Sequence, residues 1–178
     1  MTQRTGLPSW ALHALDGPLS RPYRTPFHLA RRFQQISVMA MNEVIAPTGL
    51  VPIQYTMLVA IDREPGIDQR RLGERIGVDR TNTGKLLDEL DQKDLIERKA
   101  DPSDRRARLL RLTPLGLEMR KRLSRPVFFA EDRVLAPLTA EGKLTFLKLL
   151  AQVVEANEAY ARPGGGRRGR PTSRPIDE

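Results

Sequence analysis

The 178-residue chain contains no cysteine and only two histidines, His13 and His28. Without thiols it forms no disulfide and cannot sense an oxidant through sulfur. Two imidazoles with no His/Asp/Glu cluster at ligand spacing speak against a metal site, and no cofactor is expected. No apolar run approaches the ~18 residues that a membrane-spanning helix needs. The N-terminus also lacks the basic-then-apolar order of a signal peptide. A cytoplasmic protein with no membrane partner is therefore expected. A Gly-rich phosphate loop, a G-x-S-x-G elbow and a Cys nucleophile are missing too, which speaks against an enzyme. Asp88, Glu89, Asp91 and Asp94 are numerous carboxylates, but their spacing assigns them to a solvated helix face.

What the chain has is positive charge: 30 Lys and Arg against 22 Asp and Glu, a formal net charge of +8. Such an excess favours an anionic partner without identifying it. Its distribution is uneven. The stretch from Asp68 to Arg111 holds 12 basic and 10 acidic residues, so most of the surplus lies in the N-terminal and C-terminal segments. Within that stretch it is concentrated between Arg98 and Arg111, with six basic and two acidic residues.

Residues 67–113 organise the chain. Leu72 and Ile76 share one helix face, with Asp68 as N-cap before them and Gly77 as the left-handed residue after them. Asp79 caps a second helix, whose apolar stripe is Leu86, Leu87 and Leu90. Two helices joined by a short Gly-containing turn form a helix-turn-helix. Residues 95–99 and 108–112 then pair as strands, and Ile67 can add a short third strand. The connection from Ala100 to Ala107, opened by Asp101-Pro102, is too long for a tight turn and should protrude as a basic wing. Lys and Arg in such a loop suit DNA, where they displace counterions condensed on phosphates.

The order helix, turn, helix, basic wing resembles the MarR family of transcription regulators. The resemblance is strongest in Asp101-Pro102-Ser103-Asp104-Arg105-Arg106 and in the following Leu112-Thr113-Pro114-Leu115-Gly116. Leu72-Gly73-Glu74-Arg75-Ile76-Gly77-Val78-Asp79-Arg80 and Leu87-Asp88-Glu89-Leu90 also fit, and the match covers roughly residues 27–160. It implies a mainly α fold with a small β wing: a winged helix-turn-helix dimer with N- and C-terminal dimerisation helices. Thr83 and Gly84 depart from the pattern, which often has Val or Ile and then Ser or Thr. Thr83 on a core face needs a partner, such as its own i−4 carbonyl. Gly84 inside a helix is either a close approach to a DNA backbone or a tolerated defect.

Residues 1–26 carry six Gly and Pro positions and read as a mobile arm, with Trp10 to Leu15 able to form one short packed turn. Pro26 starts a long helix, residues 27–46, that is apolar on nearly its whole circumference. A domain this small cannot bury such a helix alone, and a homodimer contact resolves this; two-fold symmetry also fits a palindromic DNA site. Arg31 and Arg32 are the only basic residues of that helix and resemble an Arg-Arg segment of family members that govern aromatic catabolism. An Arg there can clamp a carboxylate, or it can serve an intersubunit ion pair or a solvated turn. Pro52 opens the next helix, where Val51 cannot cap and Tyr55 can line a pocket or sit in the core with a wet tip. After the winged module at about 52–113, Thr113 and Pro114 start a helix that Pro126 should bend or break. Phe128-Phe129 read as a dimer or pocket wall, or as core. Thr139 caps a last helix with Leu144, Leu147, Leu150 and Val154 on one face, so that residues 114–160 complete the dimerisation region. The tail, residues 161–178, reads as disordered and basic. Its Arg167-Arg168-Gly169-Arg170-Pro171 resembles an AT-hook core that lays Arg168 and Arg170 in a minor groove, although Arg-rich chains match such a short motif by chance.

A ligand-released, homodimeric repressor is the expected function, with an architectural DNA-binding protein that needs no ligand as the alternative. Double-stranded DNA with a palindromic operator and a small-molecule effector are the expected partners. Arg80, Thr81, Asn82 and Lys85 start the second helix of the module and should face the major groove. The resemblance places Arg106 in the minor groove, supported by Arg105 and Arg108 and braced by Asp104. It further implies an effector, an aromatic carboxylate or its coenzyme A thioester, near Arg31, Arg32 and Tyr55.

Overall fold

The computed structural model describes residues 25–100 and 108–158. Two compact units meet at Met39 and Ala40, within the first helix.

That helix, α1 (Pro26–Ile45), starts at the N1-favoured proline. Thr25 precedes it and its hydroxyl accepts from the His28 N–H at 3.3 Å. A 3-10 turn (Ala46–Thr48) ends it. α2 (Pro52–Arg63) has no side-chain cap on Val51; instead the Val51 N–H donates to Gln54 Oε1 at 3.0 Å. β1 (Ile67–Asp68) leads directly into α3 (Gln69–Ile76), capped by Asp68 Oδ1 accepting from the Arg71 N–H. Gly77, at φ 71°, makes the left-handed stop that a side chain would oppose. α4 (Arg80–Gln92) follows within three residues, its first turn capped by Asp79.

β2 (Ile96–Ala100) and β3 (Arg108–Leu112) form the wing hairpin, and β1 pairs with the other edge of β3. All pairings are antiparallel, with Arg98 opposite Leu110 and Ile67 also opposite Leu110 on the far side. α5 (Pro114–Val134) is capped by Thr113, and α6 (Ala140–Ala156) by Thr139.

Of the expected bend or break at Pro126, the break does not occur: α5 is one helix from Pro114 to Val134. The proline removes one ladder bond, to the carbonyl of Arg122, and both residues lie on the exposed face where water can serve that carbonyl.

The core of the second unit lies where α2, α3 and α4 meet the sheet. Met57, Leu58 and Ile61 from α2 pack with Leu72, Leu87, Leu90, Ile96 and Leu110, and α5 adds Leu123 and Val127. The ends of the fold differ sharply from this. α1 buries only Ala40 and Ile45, and no residue of α6 is buried by the described chain. Phe27, Ile36 and Met39 on α1 and Leu144, Leu147 and Val153 on α6 stay exposed. Among the described residues, much of the apolar surface of both helices is therefore exposed. Among the described residues no single helix is long and apolar enough to cross a membrane.

Candidate nucleic-acid interface and adjoining cleft

The two helices of the turn motif are fitted to each other at one point. A Cβ on Gly73 of α3 would stand 2.8 Å from Thr83 Oγ1 and 2.9 Å from the Val78 carbonyl. The Thr83 hydroxyl, fully buried, donates to the carbonyl of Asp79 at 2.8 Å, the i−4 partner its position called for. The first turn of α4 is thereby closed from below, and its outer face is left for other uses.

Arg80, Thr81 and Lys85 lie on that outer face, exposed. Among the described residues neither the Arg80 guanidinium nor the Lys85 ammonium has a side-chain partner. Asn82 differs: its Nδ2 donates to Asp79 Oδ2 at 2.6 Å, and its backbone N–H to Asp79 Oδ1 at 3.0 Å. These bonds, the backbone one first, hold the Asp79 carboxyl below its ordinary pKa. The Asn82 side-chain bond to Asp79 competes with base contact, whereas the backbone cap does not depend on that side chain. Gln69, which the sequence did not single out, crosses from α3 and donates to the Arg80 carbonyl at 3.3 Å. A Cβ on Gly84 would come within 3.2 Å of that Gln69 Nε2. Gly84 thus makes room for an internal contact.

The wing root is also tied to α4. Arg98 Nη2 donates to Asp88 Oδ1 at 2.5 Å, and its Nε lies 3.5 Å from Asp91 Oδ2. Glu89 accepts from Gln54 Nε2 at 2.6 Å. Asp88, Glu89 and Asp91 are exposed, as expected of a solvated helix face, and each also has a partner because strand β2 and helix α2 pack beside them. Lys99 pairs with Glu97, whereas Arg108 is exposed on β3. Asp104, Arg105 and Arg106 lie outside the described residues, as do Arg168 and Arg170.

Behind the motif, within the second unit, α2 and α5, with Met41 of α1, line an open cleft of about 350 Å³. Met41, Val59, Val127 and Phe128 give it apolar walls; Tyr55, Thr56 and Ser124 supply hydroxyls, and Arg63 and Glu131 opposite charges. Burial pushes the Tyr55 phenol up, partly opposed by the Arg120 guanidinium. Burial alone pushes the Glu131 carboxyl up. Tyr55 is both a core residue and a cleft wall. Phe128, at 62% exposure, and Phe129 are not core. They meet edge to face at 5.8 Å, with Arg125 over the Phe129 ring at 5.5 Å.

Arg31 and Arg32 belong to the first unit and are exposed; Arg32 Nη1 donates to Gln35 Oε1 at 3.0 Å. The sequence reasoning missed Arg63. Scarcity of charge picked out the α1 arginines, and the same test on α2 isolates Arg63 as its one basic residue.

A family model described as MarR family matches residues 48–107. A Thauera aromatica protein described as a transcriptional regulatory protein for the hcr operon is 33% identical over 128 residues, 71% of this chain and 76% of that protein. Among solved structures, the PcaV transcriptional regulator from Streptomyces coelicolor in complex with its natural ligand superposes with a TM-score of 0.67. It is 37% identical, over 74% of this chain and 92% of that one. The transcriptional repressor CouR, bound to a 23-mer DNA duplex, gives a TM-score of 0.70 at 29% identity, over 78% and 96% of the two chains.

Proposed function

Because this chain belongs to the MarR family of winged-helix transcription regulators, which bind DNA and are not enzymes, we propose that it is a homodimeric repressor of a palindromic operator, released by a small aromatic acid. One observation carries the proposal: two adjacent residues of α2 face different partners. Tyr55 lines the cleft, and Gln54 holds Glu89 on the recognition helix α4. A ligand that shifts α2 therefore bears directly on the element that reads DNA. Tenfold release needs only ~1.4 kcal/mol of difference between its affinities for the free and DNA-bound forms.

A cavity of about 350 Å³ suits a single-ring acid. A coenzyme A thioester would keep its nucleotide portion outside. Arg63 supplies a cation for the carboxylate, and Arg31 and Arg32 are the second candidate clamp. PcaV was solved with its natural ligand and CouR with DNA, which supports both partners. On DNA, Arg80, Thr81 and Lys85 take the major groove, with Asn82 conditional on leaving Asp79. Arg106 enters the minor groove at the wing, flanked by Arg105 and Arg108 and braced by Asp104. Arg168 and Arg170 add tail contacts. The uncovered faces of α1 and α6 make the dimer, which sets the two α4 helices ~34 Å apart.

The test is anisotropy with the DNA upstream of the chain's own gene, with and without benzoate-type acids and their thioesters. Loss of binding on adding one of them is expected. Binding unaffected by the whole panel would leave the ligand-independent architectural role. A monomer in sedimentation at micromolar concentration would refute the dimer.

A further inference from the structure

Arg98 belongs to the basic stretch that sequence alone assigns to DNA, yet its surroundings are acidic. We propose that Arg98 is a positioning residue: it fixes the angle between the wing and the recognition helix and makes no contact with DNA. The inference rests on the DNA-binding function above.

The geometry is one hydrogen bond and one looser ion pair. Asp88 and Asp91 stand three apart on α4 and so share one face. Arg98 reaches both from β2, at 2.5 Å and 3.5 Å, and its side chain is only 24% exposed. Its Nη2 is committed to Asp88, its buried Nε makes no hydrogen bond but lies within ion-pair distance of Asp91, and little of the side chain is left for a phosphate. Its own strand is fixed in the other direction, because Arg98 pairs in register with Leu110 of β3. One side chain thus joins the sheet that carries the wing to the helix that carries Arg80 and Lys85. These elements are also joined by the core packing of Leu87 and Leu90 with Ile96 and Leu110, and by the chain turn at residues 93–95, where Asp94 adopts a left-handed φ of 56°. To that apolar packing Arg98 adds the polar link between β2 and α4.

Electrostatics point the same way. Asp88, Glu89 and Asp91 lie in the C-terminal half of α4, where the helix dipole already disfavours negative charge. Left unpaired, they would also repel phosphates beside the recognition surface. Arg98 neutralises the two that Gln54 does not serve.

The experiment uses the full-length protein and the duplex it selects from a randomised pool, with affinity measured from low to moderate salt. Arg98→Ala should weaken binding roughly tenfold, about 1.4 kcal/mol, the size of a coupling between contacting charged groups. The slope of log affinity against log salt should not change, because no phosphate contact is lost. Asp88→Ala should also weaken binding, although it removes a negative charge next to DNA. The exchanged pair, Asp88→Arg with Arg98→Asp, should bind more tightly than either single variant. Circular dichroism at the assay temperature establishes that each variant is folded; Asp88→Ala, altering an exposed helix position, keeps the test open if Arg98→Ala is not. Undiminished binding by Arg98→Ala would overturn the proposal. So would a slope flattened by about one unit, or tighter binding by Asp88→Ala. A wild-type protein that selects no sequence would refute the DNA-binding function itself, a separate and recognisable failure.

Discussion

Gly73 and Thr83 occupy one space between them: the Cβ that Gly73 lacks would lie 2.8 Å from the Thr83 hydroxyl. That hydroxyl cannot move aside without leaving the Asp79 carbonyl. Gly84, one residue further on, faces only the flexible end of Gln69, at 3.2 Å. The same substitution should then have opposite signs. Gly84→Ala gains helix propensity and should stabilise by about 0.5–1 kcal/mol. Gly73→Ala gains the same propensity but overpacks the motif, with a net loss of about 1–2 kcal/mol. Urea unfolding of the two variants decides it; equal shifts would show that the joint has slack.

Gly116 is under tighter constraint. A Cβ there would lie 1.9 Å from the Leu95 carbonyl oxygen, a backbone atom with nowhere to go. Gly116→Ala should cost about 3 kcal/mol, at the upper end of overpacking, and displace α5 from the wing. Thermal unfolding reads the loss.

Arg80 and Asn82 should separate in a DNA-selection experiment. Arg80→Ala should relax the preference at one base position, by about 1–3 kcal/mol of discrimination. Asn82→Ala should change sequence preference little and should raise the Asp79 pKa, which nuclear magnetic resonance can follow. Asp79 is depressed in the folded protein, so its contribution to stability is present above its unfolded pKa and is lost as pH falls through the folded one. In Asn82→Ala that loss should begin at a higher pH.

Effector binding should depend on pH through Glu131. Its pKa is raised by burial, so the neutral form is the one the fold favours: the contribution to stability is full below the unfolded pKa and fades as pH rises through the folded one. An anionic effector should bind more tightly as Glu131 takes its proton, and Glu131→Gln should flatten that dependence in calorimetry. Arg63→Ala should abolish the response to carboxylates. If Arg31→Ala or Arg32→Ala does so while Arg63→Ala does not, the clamp lies on α1.

Local chemistry was legible in the sequence. Asp68, Asp79, Thr113 and Thr139 each cap the helix they precede, and Ile67 supplies the third strand. A cap depends on residues two or three positions away, and their identity is written in the chain. Contacts over long separations were not legible. Gln54 and Glu89 are 35 positions apart, and neither residue type predicts the other. Asp88 and Asp91 are exposed as expected, but a helix wheel does not show the strand whose Arg98 lies beside them. Of the bend or break expected at Pro126, the break is absent: one bond is lost, and the exposed face on which it falls makes the loss tolerable. The cleft needed both α2 and α5, so Arg63 and Glu131 became neighbours only once the chain was folded.

The uncovered apolar face of α6 has a consequence for how much of this protein is needed at once. Among the described residues nothing buries any residue of α6, and a helix in a protein draws most of its stability from packing its apolar face. If a second chain covers it, folding and association become a single equilibrium, and the free energy holding α6 together includes the logarithm of the protein's concentration. Dilution then acts as a denaturant, melting temperature rises with the amount of protein in the tube, and scarcity alone empties the operator.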